Sequence, residues 1–493
     1  SCVKRDRTFC YNLRRLENIT LVTTPSFGMI TIPGNSVSTC EGISRRDWLR
    51  IGGLAGACGL GTHVGGLLAG RANAAETSGQ ARSFGRAKSC IVLFMFGAPA
   101  HQDTWDLKPE GPAEVRGEFK PIATNVAGID VSEHIPRLAK LADRYSLVRS
   151  VTHPDNTHTV AMHYMLTGVR HRRPKTNPQN AGDDFPCFGA VMNYHRRRQR
   201  SQSGGLPPAV SLNAPANQVS ANNHIFPGFF AGFMGHGYNP MFVSQHANEP
   251  EFQPLPTAGD SARLLDRQRL LTEFDRGTAH MRRTAAVRNF DSYHQQAVEL
   301  LTSPAARRAF DIGRVPELVR KRYGMTPFGQ GCVLARQLVE AGVPLVTVNW
   351  ERDDAYWDTH ADNFNKHRKQ LLPNMDRGLS ALLEDLSERG LLDETLVVCL
   401  SEFGRTPKIN GKAGRDHWAA CNTVVFAGGG IQGGQVYGAS DRSAAYPSEH
   451  PVHPEDVAAT IYHLLGIPAN TVLPTPEQRP VHLTGGEPIW NLL

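Results

Sequence analysis

Short apolar runs without polar alternation, separated by amphipathic stretches, constrain this chain more than any other feature. They read Cys90-Ile-Val-Leu-Phe-Met-Phe96, Tyr145-Ser-Leu-Val-Arg-Ser-Val151, Pro208-Ala-Val-Ser-Leu212, Val343-Pro-Leu-Val-Thr-Val-Asn-Trp350, Leu396-Val-Val-Cys-Leu400 and Thr423-Val-Val-Phe-Ala427. Several of them are apolar throughout and leave no face for water, so they suit strands covered by helices on both sides. Helical periodicity fills the intervals at 135–143, 262–287, 330–341, 364–389 and 454–465. The alternation predicts an α/β fold: a mostly parallel central sheet with helices on both faces.

The chain has 493 residues, of which 40% are hydrophobic, enough for one large α/β domain. We read residues 75–493 as that domain, with a charged helical insertion around 250–323, and residues 1–74 as a leading extension that is removed or disordered. Within that extension, Ser44-Arg-Arg-Asp-Trp-Leu-Arg50 precedes a Gly/Ala-rich weakly apolar stretch and then Ala72-Asn-Ala74. Twin arginine, modest apolar region and small-x-small site together match a twin-arginine export signal. The stretch is too Gly-rich, and too interrupted by His63, for a stable membrane span. The expectation is a periplasmic or extracellular protein whose mature chain starts near Ala75. Residues before Met29 fit no fold and read as lying upstream of the true start.

The net charge of +7 is inflated by arginines in the leading segment and by His195-Arg-Arg-Arg-Gln-Arg200. That run reads as a solvated loop and lacks the interleaved aromatics of a nucleic-acid groove, so no nucleic-acid partner is expected. Beyond the cleavage site Cys90, Cys187, Cys332, Cys399 and Cys421 remain, without finger spacing, which argues against a structural zinc knot. A redox enzyme loaded with its cofactor before export has no GxGxxG after the first run and no cysteine cluster behind it.

The chemistry gathers where strands end. After the first run comes Gly97-Ala-Pro-Ala-His-Gln-Asp-Thr-Trp-Asp106, and after the second Thr152-His-Pro-Asp-Asn-Thr-His-Thr-Val-Ala-Met-His163. Past Trp350 comes Glu351-Arg-Asp-Asp-Ala-Tyr-Trp-Asp-Thr-His-Ala-Asp362, and past Leu400 come Glu402 and then Asp416-His417. Clusters that follow parallel strands converge on one edge of the sheet. Carboxylate and imidazole together suit Zn²⁺, Mn²⁺ or Fe, and all-oxygen sets suit Ca²⁺ or Mg²⁺.

This order resembles the alkaline phosphatase, sulfatase and phosphomutase superfamily of metal-dependent ester hydrolases. Asp103 matches its first Asp, Leu166-Thr-Gly168 the end of its nucleophile helix, and Asp358 with His360 its middle pair. Leu400-Ser-Glu-Phe-Gly404 stands where Ser-Asp-His-Gly is expected, and Gly414-Arg-Asp-His417 resembles the phosphomutase Gly-Thr-Asp-His. Across nearly the whole mature chain, including Ser401-Glu-Phe-Gly-Arg-Thr-Pro407, the sequence also resembles the bacterial family labelled domain of unknown function 1501. Two departures stand out. Phe403 replaces a histidine of the pattern, and the nucleophile position falls on His158 counting from Thr167 but on Thr159 counting from His163.

The resemblance implies an alkaline phosphatase/sulfatase-like fold and an exported hydrolase of phosphate or sulfate esters that uses a divalent ion, Zn²⁺, Mn²⁺ or Ca²⁺. Asp358, His360 and His417 would bind one ion, and Asp103 with Glu402 a second or a shared one. Thr159 or His158 would be the nucleophile, and Arg405 would steady an anionic oxygen. His153 and His163 read as structural histidines, and Asp416 as a residue orienting its neighbours. The substrate would be a small-molecule or polysaccharide ester. The competing expectation is a degenerate member that binds anionic or sulfated polysaccharide without turnover.

Overall fold

The computed structural model describes residues 82–174, 176–199, 205–213, 225–255, 266, 297–350, 356–475 and 479–493. The twin-arginine segment, the helix expected at 262–287 apart from residue 266, and residues 351–355 lie outside the described residues. The described residues belong to one compact unit, Ala75–Leu493.

Its main sheet contains β1 (Ser89–Phe94), β2 (Tyr145–Val151), β3 (Ala209–Leu212), β4 (Met241–Val243), β5 (Leu345–Asn349), β6 (Thr395–Leu400), β7 (Asn422–Ala427) and β8 (Gln435–Tyr437). These eight strands are ordered β8-β2-β7-β6-β1-β5-β3-β4. β1 is parallel to β5 and β6, β3 to β4 and β5, and β8 to β2. Only β7 is reversed, antiparallel to both β6 and β2. The sheet is therefore mixed and mostly parallel.

Side chains along β1 alternate between two cores, which is why the strand has no polar face. Ile91, Leu93 and Met95 pack with α3 (Pro327–Glu340) and α4 (Leu372–Glu388). Cys90, Val92, Phe94 and Phe96 face α1 (His158–Thr167), α2 (Phe188–Arg198) and α5 (Pro454–Leu464). All five cysteines beyond residue 75 are buried and free. Among the described residues no helix is long and apolar enough to cross a membrane.

The structure redraws some local expectations. His195–Arg198, read above as loop, is the last turn of α2, where cations suit the carbonyl end of the helix dipole. The helix expected at 364–389 is interrupted by a wider turn at His367–Leu371. Pro373 explains it, because its ring cannot donate and clashes with the carbonyl one turn back. The described part of the 250–323 region is not set apart from the rest. Phe310, Ile312, Val315 and Tyr323 are buried in the same core as α3 and α4.

Asp376 of α4 accepts hydrogen bonds from the backbone N–H groups of Arg137 (3.1 Å) and Leu138 (2.8 Å). Burial pushes this carboxyl up to about 6, against the pull of those two donors. A carboxyl raised on folding contributes stability that is complete below about pH 4 and is lost as pH rises through its folded value. Asp376→Asn, which cannot ionise, is therefore expected to flatten the stability profile between pH 4 and 6, while its amide nitrogen, unable to accept, gives up one of the two backbone bonds and lowers stability at acid pH. Urea titrations across that range check it; an unchanged profile would contradict it.

Candidate metal centre

The site begins with a glycine. Gly97, one turn past β1, has φ of +101°, and a Cβ there would stand 2.6 Å from the backbone nitrogen of Asp358. Only glycine lets the segment that follows β5 lie against the end of β1. The N–H of Gly97 donates to Glu402 Oε1 at 2.8 Å, which fixes the carboxylate at the end of β6. A similar approach occurs at Gly414, where a Cβ would sit 2.0 Å from the carbonyl oxygen of His360. The loop ending in Asp416-His417 is thus pressed onto the Asp358–His360 segment.

Three imidazoles converge on Asp358. Its Oδ1 lies 3.1 Å from His417 Nε2 and 3.0 Å from His360 Nε2, and its Oδ2 lies 3.3 Å from His158 Nε2. The Nε2 atoms of His360 and His417 are themselves only 3.0 Å apart. Each ring is held from behind through Nδ1. His158 meets Glu402 Oε1 at 2.6 Å, His360 meets Asp416 Oδ1 at 2.7 Å, and His417 meets the Asn156 carbonyl at 2.9 Å.

A carbonyl or a carboxylate accepts, so each Nδ1 donates its proton outward and each Nε2 is left to face Asp358. Lone pairs and a carboxylate converging at 3.0–3.3 Å repel one another unless positive charge lies among them. Tetrahedral ligands at about 2.0–2.1 Å from one ion stand about 3.3 Å apart, so the spacing accommodates a cation. His158, Asp358 and His417 each offer one ligand atom, all within 4.8 Å of one another.

The electrostatics tell the same story. Burial disfavours the charged form of His158, but hydrogen bonds to Asp358 and Glu402 outweigh it and push the imidazole up to about 9. Burial would raise Asp358, yet His158, His417 and the Arg405 charge hold it well below the usual carboxylate range. His417 is lowered, chiefly by burial. The cluster demands positive charge, which protons supply in part.

The expected residues fall into two groups. Asp358, His360 and His417 come together, and His158, considered above as a nucleophile, joins them as a fourth candidate ligand. Glu402 stands behind His158: it is fully buried, its Oε1 is engaged, and its Oε2 has no partner.

Asp103, Arg405 and Thr159 do not take the places expected of them. Arg415 holds both carboxylate oxygens of Asp103 at 2.8 Å, so that acid is spent on a buried ion pair. Arg405 is fully buried, with donors on the carbonyls of Ala98, Gly97, Trp357 and Arg415 and on Asp358 Oδ1 at 2.6 Å. It steadies a side chain of the site and is not presented to an incoming anion. Thr159 donates its hydroxyl to Asn177 at 2.7 Å.

His153 and His163 stand outside the cluster, bonded to the Glu402 carbonyl at 2.7 Å and to the Phe185 N–H at 3.2 Å. Asp416 orients His360, a partner distant in sequence. Phe403, where the pattern has histidine, is buried against the rings of His158 and His417 at 4.8 and 4.7 Å. Asn363, Thr359 and Arg415 escaped the sequence reading, because nothing in a lone Asn, Thr or Arg shows that it is buried.

Fold and site together define a mostly parallel α/β protein with a histidine–aspartate cluster at the end of its central strands. The chain belongs to the family described as protein of unknown function (DUF1501), which matches residues 87–493. It matches none of the curated proteins.

Among solved structures it is similar to the PsFucS1 sulfatase from Pseudoalteromonas sp., with 15% identity, 80% of this chain and 73% of that one covered, and a TM-score of 0.37. It is also similar to an alkaline phosphatase superfamily protein from Vibrio parahaemolyticus (10% identity, 78% and 67% covered, TM-score 0.35). A third is the phosphonate monoester hydrolase SpPMH from Silicibacter pomeroyi (12% identity, 81% and 76% covered, TM-score 0.31). Likenesses this distant fix neither activity nor ligands.

Proposed function

We propose that this protein is an exported metal-dependent hydrolase of phosphate or sulfate esters. One observation carries the reading: the Nε2 atoms of His158, His360 and His417 face Asp358 while every Nδ1 is bonded outward. Imidazoles that ligate a metal are oriented in this way by carboxylates and carbonyls behind them. His158, Asp358 and His417 would hold the ion, with His360 beside them. The mixed donor set favours Zn²⁺ or Mn²⁺ over Ca²⁺.

An ion held there would supply Lewis-acid chemistry, polarising an ester oxygen or lowering the pKa of water. The chain's own groups do the rest. Glu402 and Asp416 fix the imidazoles, Arg405 fixes Asp358, and Phe403 closes the floor of the site against water. Asp416 and His360, with side chains 51% and 45% exposed, mark the side from which an ester enters. Export rests on the twin-arginine segment alone.

A second reading has its own support. Thr159 is turned to Asn177 and His158 occupies the cluster. No hydroxyl nucleophile is therefore presented at either position considered, and a member that binds anionic polysaccharide without turnover would need none. Purified protein loaded with Zn²⁺ or Mn²⁺ is expected to retain stoichiometric metal and to hydrolyse at least one of a panel of aryl phosphates, phosphonates and sulfates. Retained metal with polysaccharide binding and no turnover would favour the second reading. No retained metal would end the first reading.

A further inference from the structure

Beneath the cluster lies a knot of polar side chains, Asp103, Thr359, Asn363 and Arg415, all with zero exposure. Asp103 Oδ2 accepts from Arg415 Nε and from Asn363 Nδ2, each at 2.8 Å, and Asp103 Oδ1 accepts from Arg415 Nη2 at 2.8 Å. Asn363 Oδ1 accepts in turn from the hydroxyl of Thr359 at 2.5 Å. The backbone closes the ring, because the N–H of Arg415 donates to the carbonyl of Thr359 at 3.0 Å.

Position in the chain gives this ring its meaning. Thr359 stands between Asp358 and His360, and Arg415 immediately precedes Asp416 and His417. One carboxylate therefore grips, through two partners, both segments that supply the candidate ligands. Arg415 also donates to the carbonyls of Val115, Thr406 and Pro407, so the guanidinium is fixed on every side. A bidentate Arg–carboxylate pair sets direction as well as distance.

We propose that Asp103 is a positioning residue of the metal centre, setting the separation of Asp358–His360 from Asp416–His417 without touching the ion. The proposal rests on the metal reading above. It predicts that metal affinity and coordination geometry depend on groups at least one residue removed from every ligand. Loss of such outer partners costs metal sites about 10–100-fold in affinity.

The test is titration of the metal-free protein with Zn²⁺, together with the visible absorption of the Co²⁺-loaded protein, which reports ligand geometry and needs no substrate. Thr359→Val keeps the side-chain shape and deletes only the hydroxyl that reaches Asn363, so it is the gentler variant. Asp103→Asn removes the charge that holds Arg415. Both are expected to weaken Zn²⁺ binding at least about tenfold and to alter the Co²⁺ spectrum, with Asp103→Asn the larger effect. Thr359→Val leaves the buried Asn363 Oδ1 without its donor, so it should melt slightly earlier yet still fold; if Asp103→Asn does not fold, Thr359→Val decides alone. A wild type that binds one ion, with variants binding within twofold and giving the same spectrum, overturns the positioning role and leaves the metal reading standing. A wild type that binds no ion overturns both.

Discussion

His417→Ala is expected to abolish stoichiometric metal binding while leaving the protein folded. The imidazole sits where the cluster is tightest, with Nε2 at 3.1 Å from Asp358 Oδ1 and 3.0 Å from His360 Nε2. Removing it takes away one of the atoms that converge within 4.8 Å. Loss of an outer partner already costs up to about a hundredfold in affinity, and loss of a ligand exceeds that. The side chain is 24% exposed and the carbonyl it leaves, that of Asn156, can turn to water, so the stability cost should stay near 1 kcal/mol. Asp358→Ala should lose the metal equally but unfold more easily, because it strands the buried Arg405. Elemental analysis after loading with Zn²⁺ or Mn²⁺, alongside thermal melts, separates the two effects. Full metal content in His417→Ala would place the ion elsewhere and remove the basis for the proposed activity.

Burial on both faces wrote the central strands into the sequence, and periodicity did the same for α3 and α5. The edge strands Met241–Val243 and Gln435–Tyr437 were invisible for the opposite reason: three residues each, most of them only partly buried, make no pattern. The reversal of β7 was equally hidden, since an apolar strand buried on both faces reads the same in either direction.

At the site, acids and imidazoles placed just past parallel strands were legible as a group, and Asp358, His360 and His417 do meet. Asp103 shows where such reading ends. An aspartate past a strand looks identical whether it faces a cation or a guanidinium, and only the fold reveals that Arg415 reaches it across more than three hundred residues. Arg405 misled in the same way, because arginine is usually exposed and here the chain folds over it.

Arg405→Met is expected to be the most destabilising of the substitutions considered. Its guanidinium joins the turn after β1, through Ala98 at 3.0 Å, to the segment after β5, through Trp357 at 3.3 Å, and to the loop before His417, through Arg415 at 3.1 Å. A Cα pairing of Arg405 with His417 in a short antiparallel ladder places it at the junction of all three. Ala98 is held at φ of +65°, uncommon away from glycine, which the bond to Arg405 helps to maintain. Methionine fills much of the volume but leaves the carbonyls of Ala98 and Arg415 without this donor and Asp358 without its cation, and breaking a buried ion pair from one side costs about 3–5 kcal/mol. Arg405→Lys should fall between the two, since an ammonium restores the charge but cannot fork across several acceptors. Denaturation of the metal-free proteins, followed by circular dichroism, isolates this contribution from stabilisation by a bound ion. Coincident curves for wild type and Arg405→Met would show that the glycine turn and the sheet alone hold the rim in place.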